Sequence, residues 1–188
     1  MNITKTLHIT DPFEWRRWLR KNHKKEPEIW LVYYKAHTGR LRISYNDAVE
    51  QALCFGWIDS TAKSLDADRT AQRFSPRKPG SAYSQANKER LRYLASRGSL
   101  TREILASVRG ILEEKFIPAP DLLEAIRSDP EAWEHYQKFT DSYKRIRLAF
   151  IEGARSRPAE FEKRLRYFIK MTALNKQYGF GGIQKHYK

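Results

Sequence analysis

The sequence has a single cysteine, Cys54, in 188 residues. One cysteine excludes a disulfide framework within the chain and any zinc site built on cysteine ligands. Long apolar runs are also missing, since the longest run of apolar or aromatic residues is the six-residue segment Ile29–Tyr34. A membrane-spanning helix needs roughly 20 such residues, so no segment of this sequence is long enough to cross a bilayer as a helix.

Common catalytic and cofactor motifs are absent as well. The sequence has no G-x-S-x-G motif, no Walker loop and no G-x-G-x-x-G motif, and none of its five histidines stands in a two-ligand spacing such as H-x-x-x-H. The glycine-rich residues 179–182 look like a phosphate-binding loop, but neither Lys-Ser/Thr nor a helical pattern follows them. We therefore interpret residues 179–188 as a flexible tail, and we expect neither a metal nor a cofactor.

Positive charge is what the chain has in excess. Lys and Arg number 36 against 22 Asp and Glu, which gives a formal net charge of +14. Residues 99–139 carry a net charge of −3, whereas residues 1–98 carry +9 and residues 140–188 carry +8. This balance favours an anionic partner, either a small molecule or an acidic protein surface. Nucleic acid is a weaker alternative, because the basic helices that include Arg164, Arg166 and Lys170 contain no recognised reading motif.

The first residues show no secretory signal pattern. Residues 1–10 contain one lysine and no apolar run of seven residues, whereas a signal peptide has a longer apolar core. Together with the single cysteine, this pattern predicts a cytoplasmic location.

The distribution of apolar residues predicts an α+β fold. Aromatic and β-branched runs at residues 29–35, 57–61 and 69–75 predict three strands, which form a small antiparallel sheet packed by helices. Pro118-Ala119-Pro120 is the best candidate for a linker, because two prolines in three residues cannot continue a helix. Later segments have helical periodicity. We therefore predict an α+β domain at residues 1–117 and an all-helical module at residues 118–178.

Unusual residues are concentrated in one stretch, residues 48–60. Glu50 and Cys54, four residues apart, share one face of a predicted helix, and Trp57 and Asp59 point the same way on the strand that follows. If the polar faces meet, Glu50, Asp59 and Arg73 converge beside Cys54 and Trp57 in an aromatic-walled polar pocket. The alternative is a structural ion pair, in which an acidic residue fixes Arg73 and nothing binds.

Cys54 is the candidate nucleophile of this stretch. A catalytic thiol needs a lowered pKa, which a helix N-terminus, a cation or a histidine can supply. Cys54 lies near the C-terminal end of its predicted helix, where the helix dipole disfavours a thiolate, and no histidine is near it in the sequence. We therefore expect a buried, unreactive cysteine.

A loop at residues 76–83 has the parts of an anion site. It offers hydroxyl groups, two cations and the start of a helix that Ser84 caps. We expect Arg77 and Ser84 to contact the anion, with Arg73 beside Ser75 as a strut that an acidic residue holds in place. The alternative is a solvated basic loop in which Ser84 merely caps the helix.

These segments together resemble the YdeI/OmpD-associated family, also called bacteriocin-protection proteins. The matching pieces are Trp18-Leu19 with Asn22-His23, Trp30 to Lys35 followed by Thr38-Gly39, Ile43-x-Tyr45-x-x-Ala48-Val49-Glu50, the run Ala52-Leu53-Cys54-Phe55-Gly56-Trp57-Ile58-Asp59-Ser60, Arg73-Phe74-Ser75-Pro76-Arg77, Ser84 with Asn87 and Arg90, and a helical part from Pro120 to the helix that contains Arg164. The resemblance implies a link to resistance against cationic antimicrobial peptides and bacteriocins, and an association with an outer-membrane porin. It implies no particular reaction.

The function that these observations favour is binding without catalysis. We expect a cytoplasmic stress-related or antimicrobial-resistance-associated protein that binds an anionic ligand or partner. One alternative is an enzyme that uses the cluster of Glu50, Cys54, Asp59 and Arg73. The other is a non-specific nucleic-acid-binding protein that uses the basic helices.

Overall fold

A four-stranded sheet is the centre of the first part of the chain in the computed structural model, which describes residues 2–179. Its strands are β1 (Thr6–His8), β2 (Ile29–Tyr34), β3 (Trp57–Ser64) and β4 (Arg69–Pro76). They lie in the order β1-β2-β4-β3, with β1 parallel to β2 and the other pairs antiparallel. The α+β class is confirmed, and the three predicted strands correspond to β2, β3 and β4.

β1 is the strand that the sequence analysis missed. It has three residues, too few to show an alternating pattern, and only the middle one is even half-buried. Leu7 pairs with Leu31 in the middle of β2. The predicted antiparallel sheet therefore gains one parallel pair at its edge.

The helices begin where local signals in the sequence place them. Asp11 Oδ1 accepts a hydrogen bond from Phe13 N at 2.9 Å, and Ser44 Oγ accepts one from Asp47 N at 3.0 Å. Proline occupies the first position of four helices, where its missing N–H costs nothing. The bounds are α1 (Pro12–Asn22), α2 (Tyr45–Leu53), α3 (Gln85–Ser96), α4 (Arg102–Ser107), α5 (Arg109–Glu113), α6 (Pro120–Arg127), α7 (Pro130–Lys138), α8 (Asp141–Glu152) and α9 (Pro158–Ala173), with a short 3-10 helix at Ala36–Thr38.

The described residues divide into two compact units. The first unit comprises Leu94–Arg109 and the described part of Met1–Ala82, and the second comprises Tyr83–Tyr93 and the described part of Gly110–Lys188. The predicted boundary between residues 117 and 118 stays a prediction. The predicted flexible tail, residues 179–188, lies outside the described residues apart from Gly179.

Several of the largest buried side chains of the first unit are aromatic. Trp15 is fully buried, its ring meets the edge of Phe74 at a centroid distance of 5.6 Å, and its Nε1 donates to the carbonyl oxygen of Ala48 at 3.0 Å. Trp18 meets the edge of Trp57 at 5.8 Å. α1 and α2 are thereby joined to each other and to one face of the sheet.

The second unit has a separate core built from helices. Tyr136 of α7, Tyr143 of α8 and Phe168 of α9 pack together, with Phe168 fully buried. Leu122 and Ile126 bring α6 into the same cluster. Among the helices of residues 2–179, none combines the length and the apolar character that crossing a bilayer requires.

Candidate functional site

The register of the sheet separates Arg73 from Asp59. Asp59 stands opposite Phe74 of β4, so these two side chains leave the sheet on the same face, and Arg73, the neighbour of Phe74, leaves it on the other face. Asp59 accepts a hydrogen bond from Tyr45 Oη at 2.6 Å. The expectation that Arg73 meets Asp59 is therefore corrected, because alternation along β4 places them on opposite sides.

The carboxylate that holds Arg73 belongs to Glu28, which the sequence analysis did not single out. Arg73 Nε donates to Glu28 Oε2 at 2.6 Å, and Arg73 Nη1 lies 3.3 Å from the hydroxyls of Ser60 and Ser75. The hydrogen bonds from Thr4 and from Arg73 hold the pKa of Glu28 below its ordinary value. Arg73 thus stands beside Ser75, as expected, with a different acidic partner.

The remaining residues of the predicted cluster lie in packed surroundings. Glu50 is buried on α2 and Cys54, directly after α2, is 0 % exposed, which confirms the expected burial of the cysteine. Burial raises the pKa of the Cys54 thiol, although the nearby Arg16 acts in the opposite direction. Trp57 is also buried, and its Nε1 donates to the carbonyl oxygen of His23 at 3.0 Å. A thiol in this state is protonated at neutral pH, which is the wrong state for a nucleophile.

Gly56 explains the form of the Cys-Phe-Gly-Trp run. It has φ +72°, a left-handed conformation that glycine adopts without steric cost. A Cβ atom at this position would lie 2.7 Å from Ile104 Cδ1. The glycine lets the chain turn sharply from α2 into β3, so this part of the motif has a structural reason.

Arg77 and Ser84 take part in local structure. Arg77 Nη2 donates to the carbonyl oxygens of Ser81, at 3.2 Å, and Ala82. Ser84, which belongs to the second unit, accepts a hydrogen bond from Asn87 N at 3.3 Å in the first turn of α3. Arg77 therefore braces its own loop and Ser84 caps α3, while anion binding by either residue stays a prediction.

A cavity in the second unit presents a different arrangement, and we call it the cationic cleft. Its volume is about 610 Å³, within the range of small-molecule sites. Four lining residues are cationic, two are acidic and the others are apolar or aromatic. They are Arg92, Glu114, Lys115, Phe116, Pro118, Tyr136, Asp141, Lys144, Arg145 and Leu148.

A buried carboxylate organises one wall of the cationic cleft. The Glu89 side chain is only 3 % exposed, and it accepts two hydrogen bonds from Arg145, Nε to Oε1 at 2.8 Å and Nη2 to Oε2 at 2.9 Å. Arg92 Nη1 adds a third at 2.8 Å, and Gln85 Nε2 a fourth at 2.6 Å. Gln85, Glu89 and Arg92 follow a helical i, i+4, i+7 spacing on α3. One negative charge therefore fixes two guanidinium groups, whose orientation is set before any ligand arrives.

Arg92 also positions the segment that follows α5. Its Nη2 donates to the carbonyl oxygen of Glu114 at 2.8 Å and to that of Ile111 at 3.3 Å. The chain is thereby held where Lys115 and Phe116 join the lining of the cleft. The Glu114 carboxylate is itself paired with Lys88 at 2.5 Å, which offsets its charge.

Lys144 and Tyr136 form another part of the cleft lining. Lys144 Nζ donates to the carbonyl oxygen of Gln137 at 3.1 Å, and it lies 3.5 Å from Asp141 Oδ1 and 5.3 Å from the centre of the Tyr136 ring. Burial, with a smaller effect of Asp141, raises the pKa of Tyr136 to about 12, so its phenol keeps its proton at neutral pH. This part of the lining thus combines an ammonium group with a neutral aromatic ring.

The cationic cleft is suited to an anion that carries an apolar part. Within the cleft and its supporting shell, the positive charges of Arg92, Lys115, Lys144 and Arg145 exceed the negative charges. Arg145 Nη1 has no hydrogen-bond partner among residues 2–179 and remains able to donate. In the same described residues, no group of three or more His, Cys, Asp or Glu side chains could hold a metal ion.

The cationic cleft is not among the sites predicted from the sequence. The C-terminal cations were predicted only as a nucleic-acid surface, an alternative that stays untested. Some of those cations are engaged locally: Arg164 Nε pairs with Glu160 at 2.7 Å, and Arg155 pairs with both Glu152 and Asp121. The spacing Gln85-x-x-x-Glu89-x-x-Arg92 places three polar side chains on one face of α3, but the same spacing is typical of a solvent-exposed face, so the sequence alone does not distinguish the buried network from a solvated one.

Comparison with known families divides the chain into two matched segments. Residues 7–107 match a family described as "Domain of unknown function (DUF8412)", and residues 115–175 match one described as "Bacteriocin-protection, YdeI or OmpD-Associated". The second match confirms the resemblance drawn from the sequence, whereas the Cys-Phe-Gly-Trp run lies in the first. No curated protein and no solved structure matches the chain. All cleft-lining residues from Lys115 onward lie in the second matched segment.

Proposed function

We propose that this protein binds a small anionic molecule in the cationic cleft. The chain belongs to the family described as a domain of unknown function (DUF8412), and residues 115–175 match the YdeI/OmpD-associated family. The observation that carries the proposal is the cleft itself, a cavity of about 610 Å³ with four cationic lining residues. The description of the matched segment, "Bacteriocin-protection, YdeI or OmpD-Associated", supplies the setting in which we place this proposed, non-catalytic binding.

Preorganisation of the cations supports this proposal. Arg145 is held at two of its nitrogens by Glu89, so it loses little conformational freedom when an anion binds at Nη1. A charge-assisted hydrogen bond contributes about 1.5–3 kcal/mol before desolvation costs. Lys115 is exposed and Lys144 lies within the cleft, so two ammonium groups can complete the contacts.

The apolar lining supports an organic anion over a bare inorganic one. Phe116 and Pro118, both half-buried, offer apolar surface that phosphate or sulfate alone leaves uncovered. Burying apolar surface of the ligand contributes about 25 cal/mol per Å², which is additional to the ionic contacts. We therefore propose that an anion with an aromatic or aliphatic part binds more tightly than inorganic phosphate.

Calorimetry with phenyl phosphate and inorganic phosphate tests the proposal. Phenyl phosphate should bind, and Lys115→Gln combined with Lys144→Gln should weaken it roughly tenfold or more, because one lost charge-assisted bond of about 1.5 kcal/mol corresponds to that factor. The matched control is Lys138→Gln with Lys163→Gln. It removes the same charge from positions that do not line the cleft.

Two results would contradict the proposal. One is the absence of binding for both anions at millimolar concentration. The other is equal weakening by the cleft and control variants, which would reduce the effect to general electrostatics.

A second experiment uses a bacteriocin-sensitive bacterium. The intact protein and the control variant should protect the cells from the bacteriocin, and the cleft variant should not.

A further inference from the structure

A second cavity adjoins the cationic cleft, and we call it the apolar groove. Its volume is about 550 Å³. Three residues, Phe116, Pro118 and Leu148, line both cavities and form their common wall. The full lining of the apolar groove is Phe116, Ile117, Pro118, Ala119, Pro120, Leu122, Leu148, Ala149, Glu152 and Gly153.

The chemistry of α8 changes along its length from one cavity to the other. Lys144 and Arg145 line the cationic cleft, Leu148 lines both cavities, and Ala149 and Gly153 line the apolar groove. The distance from residue 145 to residue 153 along the axis is about 12 Å at 1.5 Å per residue. Cationic and apolar surfaces therefore follow each other within the length of one small molecule.

The apolar groove has one charged residue in its lining, and that charge is paired. Both oxygens of Glu152 accept hydrogen bonds from Arg155, at 2.5 Å and 2.7 Å. Ile117, which also lines the groove, is 84 % exposed. The groove thus offers apolar surface to solvent directly beside a surplus of positive charge.

We infer that the ligand is a monomeric amphiphile, with one anionic head group in the cationic cleft and one alkyl chain that passes over Phe116 and Pro118 into the apolar groove. This inference rests on the proposed anion-binding function and adds the chemical class of the ligand. Charge complementarity selects the anionic head, and the lining that the two cavities share at Phe116, Pro118 and Leu148 places an apolar surface directly beside it for an attached chain.

A series of alkyl phosphates tests the inference. Butyl, hexyl, octyl and decyl phosphate are titrated by calorimetry below their micelle concentrations. Affinity should rise by about fourfold for each methylene group that enters the groove, the factor that corresponds to about 0.8 kcal/mol, and it should level off once the groove is filled. Decanol, which has the chain without the charge, should bind much more weakly than decyl phosphate.

Variants separate the two parts of the site. Ile117→Ser and Ala149→Phe change the apolar groove, and both should weaken decyl phosphate several-fold while leaving butyl phosphate within a factor of two. Lys115→Gln with Lys144→Gln should weaken all members of the series. Leu105→Ser, at an exposed leucine in the first unit, is the control for a general loss of surface hydrophobicity. Ile117→Ser is an exposed change that the fold tolerates, so the test survives if Ala149→Phe fails to fold.

The possible outcomes distinguish this inference from the proposed function. Binding of butyl phosphate that depends on Lys115 and Lys144, with no gain from longer chains, would overturn the amphiphile and leave the anion site. Binding of decanol as tightly as decyl phosphate would also overturn it, because the head group would contribute nothing. No binding by any member of the series would overturn both. A gain with chain length that Ile117→Ser removes and Leu105→Ser does not would support it.

Discussion

Each unit has a glutamate that is bonded to arginine, and the two groups differ in their balance of charge: a pair in the first unit, and one glutamate with two arginines in the second. In the first unit the Glu28 side chain, 14 % exposed, accepts one arginine, Arg73, at 2.6 Å. In the second unit Glu89, 3 % exposed, accepts two, Arg92 and Arg145, each at 2.8 Å. The first pair is neutral as a group, and the second keeps an excess positive charge.

The comparison shows why the second pair is the better candidate for a site. A neutral pair whose hydrogen bonds are already made attracts an anion only weakly, because Arg73 would have to give up its bond to the Glu28 carboxylate in order to bind the anion. The excess charge at Glu89 is joined by Lys115 and Lys144, which line the same cavity as Arg92 and Arg145. Under the proposed function, an anion there would add to the network without separating Glu89 from Arg145.

Removing the two carboxylates should have unequal effects, with Glu89 the larger. Glu89→Ala removes a buried carboxylate and leaves two half-buried guanidinium groups without their shared partner, and we expect a loss of about 3 kcal/mol in the free energy of unfolding. Urea denaturation measures the loss, and hydrogen exchange of amides in the second unit locates it. A loss for Glu89→Ala no greater than that for Glu28→Gln would contradict the role of Glu89 as the organiser of the cleft.

Features that depend on neighbouring residues were predictable. Asp11 and Ser44 cap helices through hydrogen bonds to residues two and three positions away, and strands β2, β3 and β4 follow from runs of aromatic and β-branched residues. β1 was not predictable, because its stability comes from hydrogen bonds to β2 and not from its own three residues. Local propensity determines an element only when the element is long enough to carry a pattern.

Long-range partners could not be predicted. Arg73 was correctly expected to be held by an acidic residue, but Glu28 lies 45 positions away in the sequence, and nothing marks it among the carboxylates of the chain. Glu89 and Arg145 are 56 positions apart. Such pairs are set by how elements pack, so the candidate cleft emerges only from the fold.

Glu28 should make a smaller, pH-dependent contribution to stability. Because its folded-state pKa is lowered, by Thr4 first and then by Arg73, the stabilisation is present above the ordinary pKa of a glutamate and is lost as the pH falls through the lower folded-state value. Glu28→Gln should therefore cost about 1 kcal/mol at pH 7, the size of one hydrogen bond to a charged group partly replaced by an amide. Chemical denaturation of both proteins from pH 7 down to pH 2 measures the difference, which should shrink in the acid range. A difference that stays constant with pH would show that the charge of Glu28 is unimportant.

Alkylation of Cys54 in the folded protein should be the smallest effect of the three. It also tests most directly whether the functional site lies in the second unit or in the first. Its side chain is fully buried directly after α2, and burial raises the pKa of its thiol. Native protein should therefore react with iodoacetamide far more slowly than protein unfolded in urea, because the reagent needs both access and a thiolate. Mass spectrometry of the alkylated fraction over time, with urea-unfolded protein as the control, measures the ratio of the two alkylation rates.

Arg16 is a nearby cation that lowers the thiol pKa, so Arg16→Gln should slow any residual reaction further. Rapid stoichiometric alkylation of the folded protein, lost in Arg16→Gln, would instead identify an activated thiol and move the functional site to the first unit.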